Sequence, residues 1–411
     1  SLPVPLDRRV WLESRTLNVH GYRVSVISPK SKEYTRSYEV IDGVSIYRYA
    51  IPFDAESKLG YVMEFVYAWL MTAFLSLRVL FREGFDVIQA CNPPDTYFML
   101  GLLYKVLGKT FVFDHHDLSP EMFIAKFSRR GHWLHKALLK LEKFTYATAR
   151  VVITTNDSYR EVALRRGRKH PEDVHVVRTG PDMKNLVLRA PDLSLKEGRR
   201  FMVCYLGEMC PQDGVDYLLR AIHHLLHHYR RNDTLFTLVG GGPAVPKLKE
   251  LCTAMGLDKF VRFTGRIPDQ EVCRYLSTAD VCVDPDPWSE WADLSTMNKI
   301  LEYMAFARPI VSFDLKEARN TAQRASLYAK PNDVCMFAEK VNFLLNNPAL
   351  RKEMGDFGRR RVINQLSWEH SVPNLLNAYD RVFRRQRKLV AEPVAGSERI
   401  PLEWNHVTVE L

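Results

Sequence analysis

Four polar residues stand at the spacing of one helical face: Ser295, Asn298, Lys299 and Glu302, at offsets of 0, 3, 4 and 7. Ser295 or Thr296 is suited to cap the start of this predicted helix, where free backbone N–H groups and the positive end of the helix dipole favour an anion. Lys299 adds a cation one turn further on, and Glu302 can accept hydrogen bonds from a diol. The pattern favours a phosphate and a ribose, although a solvated helix face has the same spacing.

A second group of ionisable residues, Asp114-His115-His116-Asp117, ends an apolar run that reads as a buried strand. Two histidines flanked by acids at such a place favour a functional role over a structural one. A metal site would need third and fourth ligands at a recognisable spacing, and the sequence supplies none here. We therefore predict no bound metal.

Glycines follow another predicted strand, in the run Gly240-Gly241-Gly242-Pro243. They would let the backbone approach a ligand, although a tight turn explains them equally well. The sequence contains neither the Gly-x-Gly-x-x-Gly fingerprint nor a Walker loop, which argues against an oxidoreductase or an NTPase.

Composition sets broad limits on the possible function. The chain has 411 residues, enough for two domains, and a net charge of +10, which suits anionic partners. We expect no nucleic-acid partner, because no DNA- or RNA-binding motif is present. Seven cysteines without a Cys-x-x-Cys pair predict a reducing cytosol, and we expect a cytoplasmic protein because the start of the sequence lacks a signal-peptide pattern.

One long apolar run, residues 61–81, resembles a membrane span. Glu64 and Arg78 leave only thirteen uncharged residues between them, fewer than the roughly twenty that a span requires. We therefore predict a buried or half-buried helix. A helix lying on an anionic membrane surface, on the inner face of the plasma membrane, is the alternative.

The elements that must position these groups form two successive α/β series. Continuous apolar runs predict strands of parallel sheets covered on both faces, with polar tips where ligands of such sheets bind. The strand that should precede Val24–Ser28 is missing or cut short. The predicted organisation is an N-terminal domain at 1–182, a linker at 183–200, a C-terminal domain at 201–369, a helix at 370–388 and a tail at 389–411.

Several motifs together resemble glycosyltransferase family 4, over roughly residues 1–388. They are Val-Gly-Gly-Gly-Pro at 239–243, Val-Arg-Phe-Thr-Gly-Arg-Ile at 261–267, Leu-Ser-Thr-Met-Asn-Lys-Ile-Leu-Glu-Tyr-Met-Ala at 294–305 and Leu-Ser-Trp at 366–368. Three further segments, at 5–11, 114–118 and 211–216, are similar to a bacterial branch associated with cell-surface polysaccharide assembly. The resemblance implies the α/β GT-B fold: two Rossmann-like domains facing a central cleft, with a C-terminal helix crossing back to the N-terminal domain.

The resemblance also implies roles for individual residues. Glu302 matches the acid that holds the ribose, and His116 matches a histidine near the transferred sugar. The implied catalytic residues are His116 and Asp117. The implied donor-binding residues are Gly207, Gly240, Gly241, Arg266, Ile267, Ser295, Thr296, Asn298, Lys299 and Glu302. We assign Asn92 and Asp95, which follow a predicted strand, to the acceptor side, together with Arg8 and Arg9.

Two positions depart from the family pattern. The first acid of the Glu-x7-Glu motif falls on Leu294, beside Asp293. The usual basic pair that neutralises the diphosphate falls near two acids, Glu208 and Asp213. Since a departing diphosphate needs compensating charge, Lys299 is the best substitute.

The function that follows is a retaining hexosyl- or N-acetylhexosaminyltransferase. It would move a sugar from a nucleotide donor, most simply UDP-linked, to a lipid-linked or polysaccharide acceptor, without a cofactor or a metal. The altered positions leave open a catalytically silent relative that binds a nucleotide-sugar or an assembly partner. An epimerase acting on the same donors is a third reading.

Overall fold

The computed structural model describes residues 3–51, 58–127, 132–390 and 406–410. The chain divides into two compact units. The first contains residues 1–120, 130–177 and 372–411, and the second contains 121–129 and 178–371. The first unit thus takes in the chain after residue 371, where the sequence predicts a helix that returns to the N-terminal domain.

The described strands fall in two sheets. Their bounds are β1 Arg23–Pro29, β2 Tyr38–Ile41, β3 Val44–Tyr49, β4 Val87–Cys91, β5 Thr110–His115, β6 Val151–Thr154, β7 Val174–Val176, β8 Phe201–Leu206, β9 Thr234–Val239, β10 Val261–Gly265, β11 Val281–Asp284, β12 Ile310–Phe313, β13 Ser326–Ala329 and β14 His406–Glu410. The first sheet has the order β2-β3-β1-β14-β4-β5-β6-β7, and the second has the order β10-β9-β8-β11-β12-β13. All the pairings are parallel except that of β2 with β3.

The α-helices alternate with these strands. Their bounds are α1 Arg8–Val19, α2 Lys58–Arg82, α3 Phe98–Val106, α4 Ser119–Phe127, α5 Trp133–Thr148, α6 Asp157–Arg165, α7 Val215–His227, α8 Val245–Ala254, α9 Asp269–Thr278, α10 Glu290–Leu294, α11 Asn298–Ala305, α12 Lys316–Ala322, α13 Val334–Asn346, α14 Pro348–Arg361 and α15 Trp368–Val390. Two Rossmann-like α/β units with parallel sheets are therefore present, as the sequence predicts.

Burial on both faces explains why the strands of the first sheet are continuously apolar. On one face, Ile88 and Phe111 pack in a core shared with α2, α3 and α5. On the other face, Gln89 accepts a hydrogen bond from the Tyr379 hydroxyl of α15, at 2.5 Å. Alternate residues of β4 thus meet helices on opposite sides of the sheet.

The prediction of a tail after residue 388 is wrong for residues 406–410. These residues form β14, which lies between β1 and β4 and runs parallel to both. Val407 pairs with Val24 on one side and with Val87 on the other, and it is fully buried. The segment His-Val-Thr-Val is rich in β-branched residues, which suit a central strand.

Helix α2 is half-buried, in agreement with the prediction for the apolar run. Leu75 and Val79 are buried against the sheet, whereas Phe74 and Phe81 are exposed. The helix is long and apolar enough to cross a membrane by length and composition.

Candidate functional site

In the first unit, polar residues meet at the carboxyl ends of β4 and β5. Cys91 and Asp114 end these strands as paired neighbours. The buried Arg9 of α1 donates to both carboxylate oxygens of Asp114, with Nε 3.1 Å from Oδ2 and Nη2 2.6 Å from Oδ1. Its Nη1 donates to the Val177 carbonyl at 2.6 Å. Such a two-point contact fixes the orientation of the carboxylate. Arg8, the preceding residue, is exposed.

His116 is held by the same carboxylate. Its Nε2 lies 2.6 Å from Asp114 Oδ2 and 2.9 Å from Arg9 Nε. Burial lowers the pKa of His116, but the Asp114 carboxylate raises it by more, so the net pKa lies above its ordinary value. Burial alone would raise the pKa of Asp114, yet the charges of Arg9 and His116 hold it well below its usual range. The contacts with Asp114 and Arg9 fix the orientation of the His116 ring.

Asn92 organises the loop that follows β5. Its Oδ1 accepts from the backbone N–H groups of His116 and Asp117, at 2.8 and 3.2 Å. Its Nδ2 donates to the Asp117 carbonyl at 2.6 Å and lies 3.2 Å from Asp95 Oδ1. Burial raises the pKa of Asp95 to about 6. Asn92, Asp95, His116 and Asp117 are therefore brought together, as the sequence analysis expects.

His115 has a structural role instead. Its ring stacks on Phe113, and its Nδ1 lies 3.0 Å from the Tyr146 hydroxyl. Burial, together with the charge of Arg166, lowers the pKa of His115 to about 3. It is therefore a neutral core residue at physiological pH.

The sequence analysis missed Glu13, which is fully buried beside Arg9. Its Oε1 lies 3.0 Å from Arg9 Nη2, and its Oε2 accepts from Gln89 Nε2 at 2.7 Å. Burial and the nearby Asp114 raise its pKa to about 7. The four-residue spacing of Arg9 and Glu13 on a predicted helix is the signal that could have identified it.

Cys91 adds a thiol to the same place. One ligand atom each from Cys91, Asp114 and His116 lies within 4.8 Å of the others, a spacing suitable for a metal ion. Arg9 already donates to both oxygens of Asp114, however, so a cation would have to displace the guanidinium. The residues present fit an arginine better than a metal.

In the second unit, the loops after β8 and β9 touch at glycines. Gly240 has a φ of +130°, and a Cβ on it would lie 1.9 Å from the Gly207 carbonyl oxygen. Gly240 donates from its N–H to the Gly265 carbonyl at 3.1 Å, and a Cβ on Gly241 would come within 3.9 Å of the Arg266 nitrogen. The backbone contact alone requires glycine at 240. Gly207, Gly240, Gly241 and Arg266 thus meet at the strand ends. The Arg266 side chain is exposed there, and Ile267 follows, half-buried.

The predicted N-cap of the helix around Lys299, Ser295 or Thr296, is wrong. The structure has two helices, α10 and α11, separated at 295–297. The Ser295 hydroxyl donates to the Trp291 carbonyl at 2.6 Å, and Met297 stands at the N-cap of α11 without a side-chain hydrogen bond. The extended backbone of Ser295, with a φ of −97° and a ψ of 134°, ends α10 at this residue. The Thr296 hydroxyl donates to Glu317 at 3.3 Å. Ser295 and Thr296 therefore lie before the first turn of α11.

Asn298, Lys299 and Glu302 remain on α11, at the end facing the glycine loops. Tyr303 anchors this helix, since its hydroxyl accepts from Leu206 N–H at 2.8 Å and donates to the Val283 carbonyl at 3.1 Å. These contacts tie α11 to β8 and β11. Asn298 is exposed and Glu302 is half-buried.

Lys299 is ion-paired with two buried aspartates that the sequence analysis missed. Its Nζ lies 2.8 Å from Asp286 Oδ1 and 3.2 Å from Asp284 Oδ1, above the Tyr205 ring. Burial lowers the pKa of Lys299, but Asp286 and its other neighbours raise it well above its ordinary value. Burial and the charge of Asp284 raise the pKa of Asp286 well above its usual range. The sequence Asp-Pro-Asp-Pro after a buried strand, 284–287, is the signal that could have revealed this pair.

Two family models match the chain, one on each unit. A "Glycosyl transferase 4-like domain" matches residues 7–180, and "Glycosyl transferases group 1" matches residues 200–347. Two Rossmann-like units with functional groups at their strand ends are what the GT-B class of glycosyltransferases contains.

Known proteins agree with this class. The alpha-D-kanosaminyltransferase of Streptomyces kanamyceticus is 26% identical over 322 residues, which cover 74% of this chain and 80% of that protein. The sucrose-phosphate synthase of Thermosynechococcus elongatus has a similar fold, with a TM-score of 0.72 at 20% identity over 92% of this chain and 94% of that one. HepE of Anabaena, solved with UDP-glucose, has a TM-score of 0.64 at 14% identity over 87% and 99%. Two glycosyltransferase models thus match successive parts of the chain, and its two Rossmann-like units have the fold of the GT-B glycosyltransferases.

Proposed function

We propose that this glycosyltransferase moves a hexosyl or N-acetylhexosaminyl group from a UDP-linked donor to a lipid-linked or polysaccharide acceptor. The acceptor hydroxyl would replace UDP at the anomeric carbon with unchanged configuration, releasing UDP and a proton. We place the enzyme in the bacterial branch that assembles surface polysaccharides, on the cytoplasmic face of an anionic membrane. The nucleotide-sugar is a substrate, and the proposal includes neither a cofactor nor a metal.

The observation that carries the proposal is the meeting of α11 with the glycine loops at the carboxyl ends of β8 and β9. A Cβ on Gly207 would come within 3.4 Å of Lys299 Cε, so backbone and cation are adjacent. The first-turn amides of α11 suit a phosphate, and Glu302, one turn further on, suits a ribose diol. The solved complex of HepE with UDP-glucose, on a similar fold, supports a uridine nucleotide.

The negative charge of the diphosphate requires a cation nearby. In our proposal this cation is Lys299, which two aspartates surround. Burial and the charge of Asp284 raise the pKa of Asp286, so its negative charge beside Lys299 is disfavoured. We propose that Lys299 turns from these aspartates toward the phosphate when the donor binds. In the first unit, we assign His116 and Asp117 the catalytic roles that the family resemblance implies.

A panel of nucleotide-sugars tests the proposal in two stages. Thermal stabilisation by each donor is measured first, and then release of UDP and the anomeric configuration of the product are measured with the stabilising donor. We expect a UDP-sugar to stabilise the protein most and the product to keep its configuration. Stabilisation by UDP-sugars without hydrolysis or transfer would favour the catalytically silent alternative.

A matched pair of variants tests the ribose contact. Glu302→Ala should weaken UDP binding about tenfold or more, because a hydrogen-bonded diol loses its acceptor. Glu250→Ala, on the exposed face of α8, should leave UDP binding unchanged. If calorimetry gives equal affinities for UDP in the two variants, Glu302 does not bind the ribose.

A further inference from the structure

Helices α2, α3 and α5 of the first unit lie side by side on one face of its sheet. The hydroxyls of Ser76 in α2 and Tyr104 in α3 are 2.7 Å apart. The rings of Phe98 in α3 and Phe144 in α5 stack with centroids 5.6 Å apart. All three helices pack on the same hydrophobic core. Their outward side chains therefore form one continuous surface, called the three-helix face below.

On α2, the outward side chains are large and apolar. Phe65, Leu70, Phe74 and Phe81 are 44–84% exposed. Leu70, Phe74 and Phe81 recur along the helix on the side opposite Val79, which is buried. Isolated exposed apolar residues are ordinary, but a row of this length on one helix marks a surface that is covered in use.

The same character continues onto the neighbouring helices. On α3, Met99, Leu102, Leu103 and Val106 are 47–86% exposed, and Trp133 at the start of α5 is 68% exposed. A soluble monomer rarely exposes a contiguous apolar patch beyond a few hundred Å². The row on α2 is therefore one edge of a wider apolar face.

The charges on the three-helix face have a single sign. Among the described residues of these three helices, every exposed charged side chain is basic. They are Arg78, Arg82, Lys105, Lys136, Lys140 and Lys143. The acids of these helices do not oppose them, because Glu64 is partly buried and Glu142 is buried against Arg166, 2.7 Å away. Apolar side chains interleaved with lysine and arginine complement the surface of an anionic bilayer.

We propose that the three-helix face docks this protein on the surface of an anionic lipid bilayer, with the three helices lying in the membrane plane. The inference rests on the proposed function for its membrane-borne acceptor. Helix α2 lies on the bilayer rather than crossing it, because Thr72, Ser76 and Val79 are fully buried and a span would pull them from the sheet. A second copy of the chain is a poor occupant, since two basic faces repel each other.

Flotation of the whole protein with vesicles tests the apolar part of the proposal. We expect binding to vesicles that contain phosphatidylglycerol, and about tenfold weaker binding to phosphatidylcholine alone or at 1 M salt. Phe74→Ser should weaken binding to the anionic vesicles about tenfold, because a phenyl ring no longer enters the interface. Phe343→Ser is the matched control, since Phe343 is exposed by 49% on α13 of the other unit. Equal binding by the two variants would overturn the proposal.

Charge reversal tests the basic part of the face. Lys140→Glu should weaken binding to anionic vesicles by about tenfold, whereas Lys247→Glu on the exposed side of α8 should not change it. Far-UV circular dichroism and the unfolding midpoint check that each variant is folded. Binding that resists salt and alkaline carbonate and yields only to detergent would show a spanning helix and overturn the in-plane docking.

Oligomeric state and turnover separate the remaining outcomes. A dimer without lipid that Phe74→Ser dissociates would assign the face to a second copy and overturn the proposal. Release of UDP from the donor is measured without vesicles, so it reports on the proposed function alone. Turnover without vesicle binding would contradict only the proposed membrane docking. Vesicle binding without turnover would contradict only the proposed enzymatic function.

Discussion

Each unit of this chain places one cation among carboxylates at the ends of its strands, but the two groups are bonded differently. In the first, the Arg9 cluster, Asp114 accepts from Arg9 at both oxygens. In the second, the Lys299 cluster, Lys299 lies between Asp284 and Asp286. Both oxygens of Asp284 and the Oδ2 of Asp286 make no hydrogen bond within the described part of the chain.

The difference follows from the shape of the two cations. A guanidinium presents a rigid fork that satisfies a carboxylate at two points, whereas the Lys299 ammonium donates to Asp286 and leaves both oxygens of Asp284 without a hydrogen bond in the described part of the chain. Burying a carboxylate without hydrogen bonds is costly, so the Lys299 cluster should exchange protons or partners more readily. We infer that the Arg9 cluster stabilises the first unit and positions His116, while the Lys299 cluster is the one adapted to a ligand.

The largest effect should come from removing the carboxylate of the Arg9 cluster. Asp114→Ala leaves Arg9 buried and without its two-point partner, which should lower the free energy of unfolding by about 3–5 kcal/mol. Urea denaturation at pH 7 measures it. Asp314→Ala is the matched control, because Asp314 makes the same two-point contact with Arg319, at 2.7 and 2.6 Å, on an exposed surface. That pair should contribute at most about 1 kcal/mol, and equal losses in both variants would contradict a stabilising role for burial.

The next largest loss of stability should come from the Lys299 cluster, in which one cation faces two aspartates. Lys299→Met should lower the free energy of unfolding by about 3 kcal/mol, because it leaves the buried carboxylates of Asp284 and Asp286 without a cation. Adding Asp284→Asn to that variant should restore more than half of the loss, because only one buried acid, Asp286, then remains, and no neighbouring Asp284 charge opposes it. A double-mutant cycle by urea denaturation measures the coupling. Additive losses, within about 0.5 kcal/mol, would show that Lys299 and Asp284 do not interact.

Much of the fold could be predicted because its signals are local. Continuous apolar runs such as 281–284 mark buried strands wherever they stand, and polar tips mark their ends. Strand β14 could not be predicted in its place, because pairing of residues 406–410 with β1 and β4 is decided by partners hundreds of residues away. Composition alone made that segment look like a tail.

The candidate site divides in the same way. The sequence identified Asp114 and Lys299 from their positions at a strand end and on a helix. It could not show that Arg9 reaches Asp114, or that Lys299 reaches Asp286, since these contacts join distant elements. The helical spacing that included Ser295 failed because the backbone at Ser295 is extended, where the preceding helix ends.

A smaller effect should appear in the pH dependence of the first unit. Asp95 ionises near its ordinary 3.8 when unfolded and at about 6 when folded, because burial disfavours its charge. Between these values only the folded state keeps the proton, so stability present below pH 4 is lost as the pH rises through 6. Asp95→Asn, which retains the shape of the neutral acid, should remove that loss. The variant should therefore gain on the order of 2 kcal/mol over the native chain between pH 4 and pH 8, by thermal or urea unfolding. Parallel stability curves would contradict the assignment to Asp95.

The smallest expected effect is also the sharpest test of the Lys299 cluster. If Asp286 keeps its proton near neutral pH, Asp286→Asn replaces a neutral acid by a neutral amide of the same shape, and stability should change by less than about 1 kcal/mol. The Arg9 cluster offers the contrast, because Asp114→Asn removes a charge that two cations hold in place. Urea denaturation of both variants at pH 7 compares them directly. A loss of about 3 kcal/mol or more from Asp286→Asn would mean that Asp286 is the ionised partner of Lys299, and the two clusters would then be alike.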